Sequence, residues 1–456
     1  MRREEEKKDF YRKLTITGIP MVIQQVIGVT LNLADTIMVG KVSEEALAAV
    51  GAANQVYFIF GILLFGIFSG ASVLAVQYWG IGDLKTLRSI VGIDYTMCLV
   101  LCVPGIAIAY FAAPFLIQIF SDDPAVLELG VSYLRIACFS YIFSGLTFVI
   151  SYNSRAIKDL KYPTIINACA ILINICLNWL LIFGKCGFPE LGVRGAAIAT
   201  LIARIIECTA MLLSVYLRRS HPLKAMPKDL FSYSGELFVR VMKTAVPVIV
   251  TEGLWAISVS SIFAAYGRIS AAALAVSQIA VTVTDFFQTV YFGLGNAAAV
   301  IIGEVLGQGK KELAYRYSKN IIKVTWILNG VMTVILILAR TPIAVIYNYG
   351  PETTQMLMEA LLVYAVAITP KMFAYMMICA IFRSGGDTVY SMIVDVSFNV
   401  GAQIPLAYIG VLVLDWPLAW VMALVATADF AKTIFIFQRY YSRKWMNVFT
   451  GRKESV

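Results

Sequence analysis

A chain of 456 residues that is 59% hydrophobic and 14% charged carries too much apolar surface for a water-soluble protein. Its basic surplus, 37 Lys and Arg against 28 Asp and Glu, falls in short segments between apolar runs, where it sets membrane orientation and needs no nucleic acid to explain it. A single histidine, His221, excludes a histidine-based triad or zinc site of the usual kind, and eight cysteines without CxxC spacing read as small buried hydrophobes.

In chain order, the charged opening MRREEEKKDFYRK leads into no short apolar core with a small-residue cleavage site, so it is read as retained rather than as a signal peptide. Apolar stretches long enough to cross a bilayer follow at roughly 13–39, 46–78, 89–113, 126–152, 163–184 and 193–217. A second series lies at roughly 243–266, 271–306, 318–339, 353–382, 389–412 and 416–438. The predicted fold is an all-α integral membrane protein with twelve transmembrane helices in two pseudo-symmetric six-helix lobes. Residues 1–217 form the amino-terminal lobe, 218–242 a cytoplasmic linker with Pro222, Pro227 and Gly235, and 243–456 the carboxy-terminal lobe.

The halves repeat. A shift of 227 residues lays Pro20 on Pro247, Gly40 on Gly267, Lys41 on Arg268 and Ser43 on Ser270, and continues to Gly66 on Gly293 and Gly82 on Gly309. A shift of 228 then lays Arg155, Asp159 and Tyr162 on Arg383, Asp387 and Tyr390. One ancestral unit has been duplicated. Lys and Arg cluster in the opening, at Lys85 and Arg88, at Arg155 to Lys161, in the linker, at Lys310 to Lys323, and after Arg439. The opposite loops hold few, among them Lys41, Lys185 and Arg340, which places both termini in the cytoplasm of a multi-pass protein of the plasma (cell inner) membrane. Six helices per half give the two repeats the same orientation, related by an axis along the membrane normal.

Polar residues inside the spans are the functional signal, because an ionisable group there costs several kcal/mol by insertion scales. In the first span Gln25 and Asn32 fall within about 20° of each other and Asp35 about 60° further round, so one side faces protein or water. In the fifth, Asn167, Asn174 and Asn178 lie within about 40°, as a lumen wall or a helix seam. Glu252 of the seventh span, with Thr251 before it and Trp255 one turn on, overlays Gln25 and sits near mid-membrane. Arg204 with Glu207 and Asp429 with Lys432 are spaced to neutralise each other along one helix. Asp285, flanked by Gln278 and Gln288, and the stripe Asp395, Asn399, Gln403 read as either cavity wall or packing contacts. Lys371, after Pro370, reads as a counter-ion or a snorkelling side chain. Asp94 reads as a boundary residue at the end of its span.

The ADTIMVG segment after a polar first helix, the turn from Gly80 to Gly82, TEGLW at 251–255 and FRSGGDT at 382–388, set within two six-helix repeats, resemble the multidrug and toxic compound extrusion (MATE) family over nearly the whole chain. The resemblance implies that Asp35 is a proton or cation site of the amino-terminal lobe, with Tyr133, Asn174 and Thr200 as polar members of that site. It also implies that Glu252 is the acid of the carboxy-terminal lobe. Two positions depart from the family patterns. Asn178 stands where the archaeal DinF-type pattern has Asp, and Met372 stands where the NorM-type pattern has a second acid. Glu252 is therefore expected to be a lone carboxylate.

The expected function is a secondary antiporter, not an enzyme, exporting organic and often cationic compounds in exchange for H⁺ or Na⁺. A carboxylate in a low-dielectric cavity lets a proton, a sodium ion or a cationic substrate compete for one place. The expected partners are small organic substrates and the bilayer, with no nucleic acid and a monomeric state. No cofactor is expected beyond the coupling ion, and no metal beyond Na⁺ near Asp35 or Glu252. The alternatives are a lipid-linked precursor flippase of similar fold, a membrane-embedded enzyme and an ion channel. A flippase would want a more basic cavity, an enzyme acidic clusters for metal and pyrophosphate, and a channel a ring of filter residues.

Overall fold

The computed structural model describes residues 2–121, 123–218, 220–347 and 349–451, with the side chains of 2–3, 29–37, 227 and 271 outside the described set. Among the described residues all regular structure is helical. Ten helices are long and apolar enough to cross a membrane, and the pair Pro124–Ala137 and Ser140–Ala156 makes an eleventh span bent by 49°. The helix Arg2–Gly40 completes twelve. The bend in the fourth span has a local cause: Ser140 Oγ donates to the carbonyl of Ala137 at 2.6 Å, so a side chain interrupts the backbone ladder at the break.

The repeat is visible in how helices begin and end. Ser43 caps Glu44–Gly80 by accepting from Ala46 N at 3.0 Å, and Ser270 caps Ala271–Gly307 by accepting from Ala273 N at 2.9 Å. The same two helices end in turns through Gly82 and Gly309, with φ of +76° and +79°, a region a Cβ would penalise.

The chain divides into two compact units, Met1–Val22 with Val250–Val456, and Ile23–Ile249. Both breaks fall two residues after a helix proline, Pro20 in Arg2–Gly40 and Pro247 in Gly235–Gly267, at equivalent positions of the repeat. Each proline removes one backbone donor and loosens its helix there. The units thus differ from the sequence division at 217 and 243, since the first part of each repeat's opening helix is grouped with the other repeat.

In the unit 23–249, the second span accepts the start of Gly235–Gly267 through small residues. A Cβ on Gly70 would lie 2.3 Å from Ala245 Cα, and one on Gly66 2.8 Å from Ile249 Cα. The linker is folded onto this unit rather than strung out as a hydrophilic tether. Leu223, Ala225 and Leu230 are buried, Arg88 Nε donates to the carbonyl of Pro222 at 3.0 Å, and Tyr233 Oη donates to Thr96 Oγ1 at 3.0 Å. Asp159 accepts from Arg218 at 2.6 Å and faces His221 Nε2 at 2.9 Å. Leu223 N–H donates to His221 Nδ1, which leaves Nε2 as the proton-bearing nitrogen toward Asp159.

In the other unit the equivalent contact recurs: a Cβ on Gly293 would lie 2.5 Å from Val22 Cα. Its core gathers Tyr266, Val276, Leu357, Leu361, Leu418 and Val421 from the seventh, eighth, tenth and twelfth spans. Two spans expected to be continuous α-helix contain π-helical turns, Met376–Phe382 in the tenth and Asn399–Gln403 in the eleventh. Pro405 follows the second and lacks the donor that the carbonyl of Gly401 would take, and Ser258 Oγ donates to the carbonyl of Asn399 at 2.6 Å. Exposed apolar side chains such as Ile59, Val103, Ile327, Leu338 and Ile434 lie along the spans, where lipid rather than water is the solvent.

Candidate ion-coupling sites

The acids of interest lie on different units. In the unit 23–249, Asp35 and Asn32 are on the first helix, and their side chains lie outside the described residues. Close to them in sequence, Gln24 is buried and donates to Thr164 Oγ1 at 2.9 Å, while Gln25 is half-buried. Asn174 and Asn178, one turn apart on the fifth span, are both buried, and Asn178 Nδ2 donates to Asn174 Oδ1 at 3.3 Å. Tyr133 of the fourth span is buried and Thr200 of the sixth is half-buried.

The rest of the asparagine stripe serves a seam. Asn167 Nδ2 donates to Glu207 Oε1 at 3.0 Å, and Arg204 pairs with Glu207 Oε2 at 2.7 Å, so a carboxylate that is 1% exposed has a donor on each oxygen. Asp94 differs from its sequence reading. It is buried, not a boundary residue, because Asn153 of the fourth span donates to its Oδ2 at 2.8 Å; its Oδ1 has no partner among the described residues. No spacing rule links positions 94 and 153.

The other unit concentrates charge. Glu252 is not a lone carboxylate: Arg383 Nη2 donates to its Oε1 at 3.0 Å, with side-chain exposures of 10% for Arg383 and 23% for Glu252. Where the NorM-type pattern would offer a second acid at Met372, this chain supplies a cation instead, from the end of the tenth span. Lys432 lies among the stripe residues of the eleventh span. Its Nζ is 3.1 Å from Asp395 Oδ1, 3.2 Å from Asn399 Oδ1 and 3.4 Å from Asp429 Oδ1. Gln403 Nε2 donates to Asp429 Oδ1 at 3.0 Å. The expected i,i+3 pair of Asp429 and Lys432 is present, but Lys432 sits closer to Asp395.

Asp285, of the eighth span, accepts from Gln288 Nε2 at 3.0 Å, and among the described residues no contact ion pair joins it to Lys371. Trp255 is 39% exposed. The π-helical turns border the charged cluster, one directly before Arg383 and the other carrying Asn399 and Gln403. Such turns re-aim side chains and expose carbonyls, and sequence periodicity does not reveal them.

Two repeats of six spans, each with buried carboxylates in apolar helices, define a polytopic membrane transporter. The MatE family model matches residues 20–180 and 247–409, most of both repeats, and the chain belongs to the MatE (MATE) family of multidrug efflux transporters. It is 24% identical over 454 residues to a probable multidrug resistance protein NorM of Thermotoga maritima, covering 97% of this chain and 94% of that one. It is 24% identical over 421 residues to the probable multidrug resistance protein YoeA of Bacillus subtilis, covering 89% and 88%. Among solved structures, a MATE in the bent conformation superposes with a TM-score of 0.86 at 21% identity, covering 96% of each chain. A MOP superfamily transporter from Pyrococcus furiosus gives 0.84 at 21% identity, covering 95% and 96%.

Proposed function

We propose that this protein is a secondary antiporter of the plasma membrane, with both termini cytoplasmic, that exports organic and often cationic compounds in exchange for inward H⁺ or Na⁺. It works as a monomer without a bound cofactor. Asp35 and Glu252 are the coupling acids, one in each repeat. The observation that carries the reading is the Glu252–Arg383 pair inside a membrane span, where burying two charges is justified by function rather than by stability. Arg383 neutralises the carboxylate while no external cation occupies it. A proton, Na⁺ or a cationic substrate competes for the same oxygens, and only one occupant can be held at a time. Alternation between two states of the repeats turns that competition into exchange. The names of the relatives, multidrug resistance proteins, support a broad range of organic substrates.

The test is efflux from proteoliposomes carrying the charge-removing, size-preserving variants Asp35→Asn and Glu252→Gln. Each should lose gradient-driven efflux while remaining folded. Full efflux in both variants would remove the carboxylates from the coupling step.

A further inference from the structure

Arg383 stands on a segment with little rigidity of its own. The π-helical turn Met376–Phe382 lies directly before it, and Gly385 and Gly386 follow, the latter at φ +68°. A π-helical turn departs from the α-helical ladder and glycine is the most permissive residue, so local backbone geometry alone does not hold the guanidinium 3.0 Å from Glu252. The support comes from the end of the chain, where residues 442–451 fold back across the turn 382–388. Trp445 is the largest fully buried side chain among the described residues; its ring stacks on Tyr440 and has its centroid 6.5 Å from that of Phe382. Its carbonyl oxygen would lie 1.9 Å from a Cβ on Gly385, and the Phe449 ring 2.3 Å from one on Gly386, so neither glycine leaves room for a side chain. Asn447 Nδ2 donates to the Gly385 carbonyl at 2.9 Å, and Arg439 grips Asp387 with bonds of 2.7 and 2.8 Å. The segment is anchored in turn: Arg443 pairs with Glu312 and stands over the Tyr315 ring, and Thr450 Oγ1 donates to the carbonyl of Gly307 at 2.7 Å.

We propose that residues 442–451 are a positioning strap for the Glu252–Arg383 pair, with Trp445 as its anchor. Phe382, Gly385, Gly386 and Asp387 are held by the strap and by Arg439, and Arg383 lies between them, so the strap fixes the backbone from which the guanidinium reaches Glu252. Trp445 and Asn447 act through Arg383 and are positioning residues. The indole Nε1 of Trp445 has no hydrogen-bond partner among the described residues, so what the site uses is the ring and not its donor. The clasp on the aspartate recurs in the other repeat, where Arg218 pairs with Asp159 and stands over Tyr162 as Arg439 does with Asp387 and Tyr390. There Gln25 takes the place of Glu252, which makes that clasp an internal control. A consequence for transport rests on the reading of Glu252 as a coupling acid given above; the positioning of Arg383 does not.

The test measures the Glu252–Arg383 coupling itself. Thermal unfolding of the purified full-length protein in detergent is followed for Glu252→Gln, Arg383→Gln and the two together, a cycle that isolates the pair's interaction from other effects. In the wild-type background the double variant should melt above the temperature that the two single shifts predict by addition. In Trp445→Ala and in Gly385→Ala that excess should be lost, so the shifts add. Asn447→Ala, which removes a hydrogen bond to the Gly385 carbonyl and no buried ring, should cut the excess to roughly half. Trp445→Phe should restore it, and Arg218→Gln should leave it intact. A merely structural tryptophan would lower every melting temperature of the cycle alike and keep the excess. Should Trp445→Ala fail to fold, Asn447→Ala and Gly385→Ala decide. The proposal is overturned if the excess survives in the strap variants, or if Arg218→Gln erases it as well. Dye efflux from the same variants in proteoliposomes is read separately: lost coupling with wild-type efflux would keep the strap and remove Glu252 from the coupling step.

Discussion

Neutralising Glu252 should reveal how far the stability of its unit depends on Arg383. Glu252→Gln keeps the side chain's size and leaves a guanidinium that is 10% exposed without its ionised partner at 3.0 Å. At an effective dielectric constant of about 20, two charges at that separation attract by about 5 kcal/mol, and removing one member of a buried pair costs ~3–5 kcal/mol. Arg383→Gln should cost a similar amount. Replacing both charges by apolar groups, Glu252→Met with Arg383→Met, should recover most of the loss, because a buried pair exchanged for apolar side chains is often close to neutral. The assay is loss of the monodisperse species on heating in detergent, run on wild type, both single variants and the double. The reasoning fails if the single variants melt with the wild type, or if the double loses the sum of the singles.

The helix crossings make a second prediction. Gly70→Val places a methyl where Ala245 Cα is 2.3 Å from the Cβ position, and Gly293→Val does the same against Val22. Both should lower the melting temperature by an overpacking cost of ~1–3 kcal/mol or more, while Gly61→Ala, with nothing within 4 Å, should not; equal melting of all three would contradict the packing. Outside the membrane, Asp159 is held below the ordinary carboxylate range, chiefly by its hydrogen bond to His221 and then by Arg218. Its contribution is complete above its unfolded pKa of about 3.9 and is lost as pH falls through the lower folded value. The melting gap between wild type and Asp159→Asn should therefore be open at neutral pH and close in acid; a gap that widened in acid would reverse the sign. For orientation, Lys310→Cys should label only from the cytoplasmic face and Glu352→Cys only from outside, and labelling of position 310 from outside would overturn the topology.

What was legible in the sequence was what repeats or lies one turn apart. Ser43 and Ser270, Pro20 and Pro247, and Gly82 and Gly309 could be matched by a fixed shift, and each pair does the same backbone job in the structure. The pairs Arg204 with Glu207 and Asp429 with Lys432 follow from helical spacing alone. Partners drawn from different helices were not legible. Arg383 lies 131 positions from Glu252, and Asn153 lies 59 from Asp94; packing rather than sequence distance decides such meetings. The same holds for the linker, whose polar composition concealed Leu223 and Leu230 as anchors. The π-helical turns leave no periodic signature, because the stripe Asp395, Asn399, Gln403 keeps the spacing of four that an unbroken α-helix would also give.

The central claim, exchange of organic cations against an inward cation, is tested most directly with wild-type protein in proteoliposomes loaded with cationic dyes, with a pH or Na⁺ gradient imposed in turn. Dye should leave against its own gradient only while the cation gradient is present, with about tenfold accumulation per pH unit for each proton exchanged. Dye movement indifferent to both gradients would contradict the account.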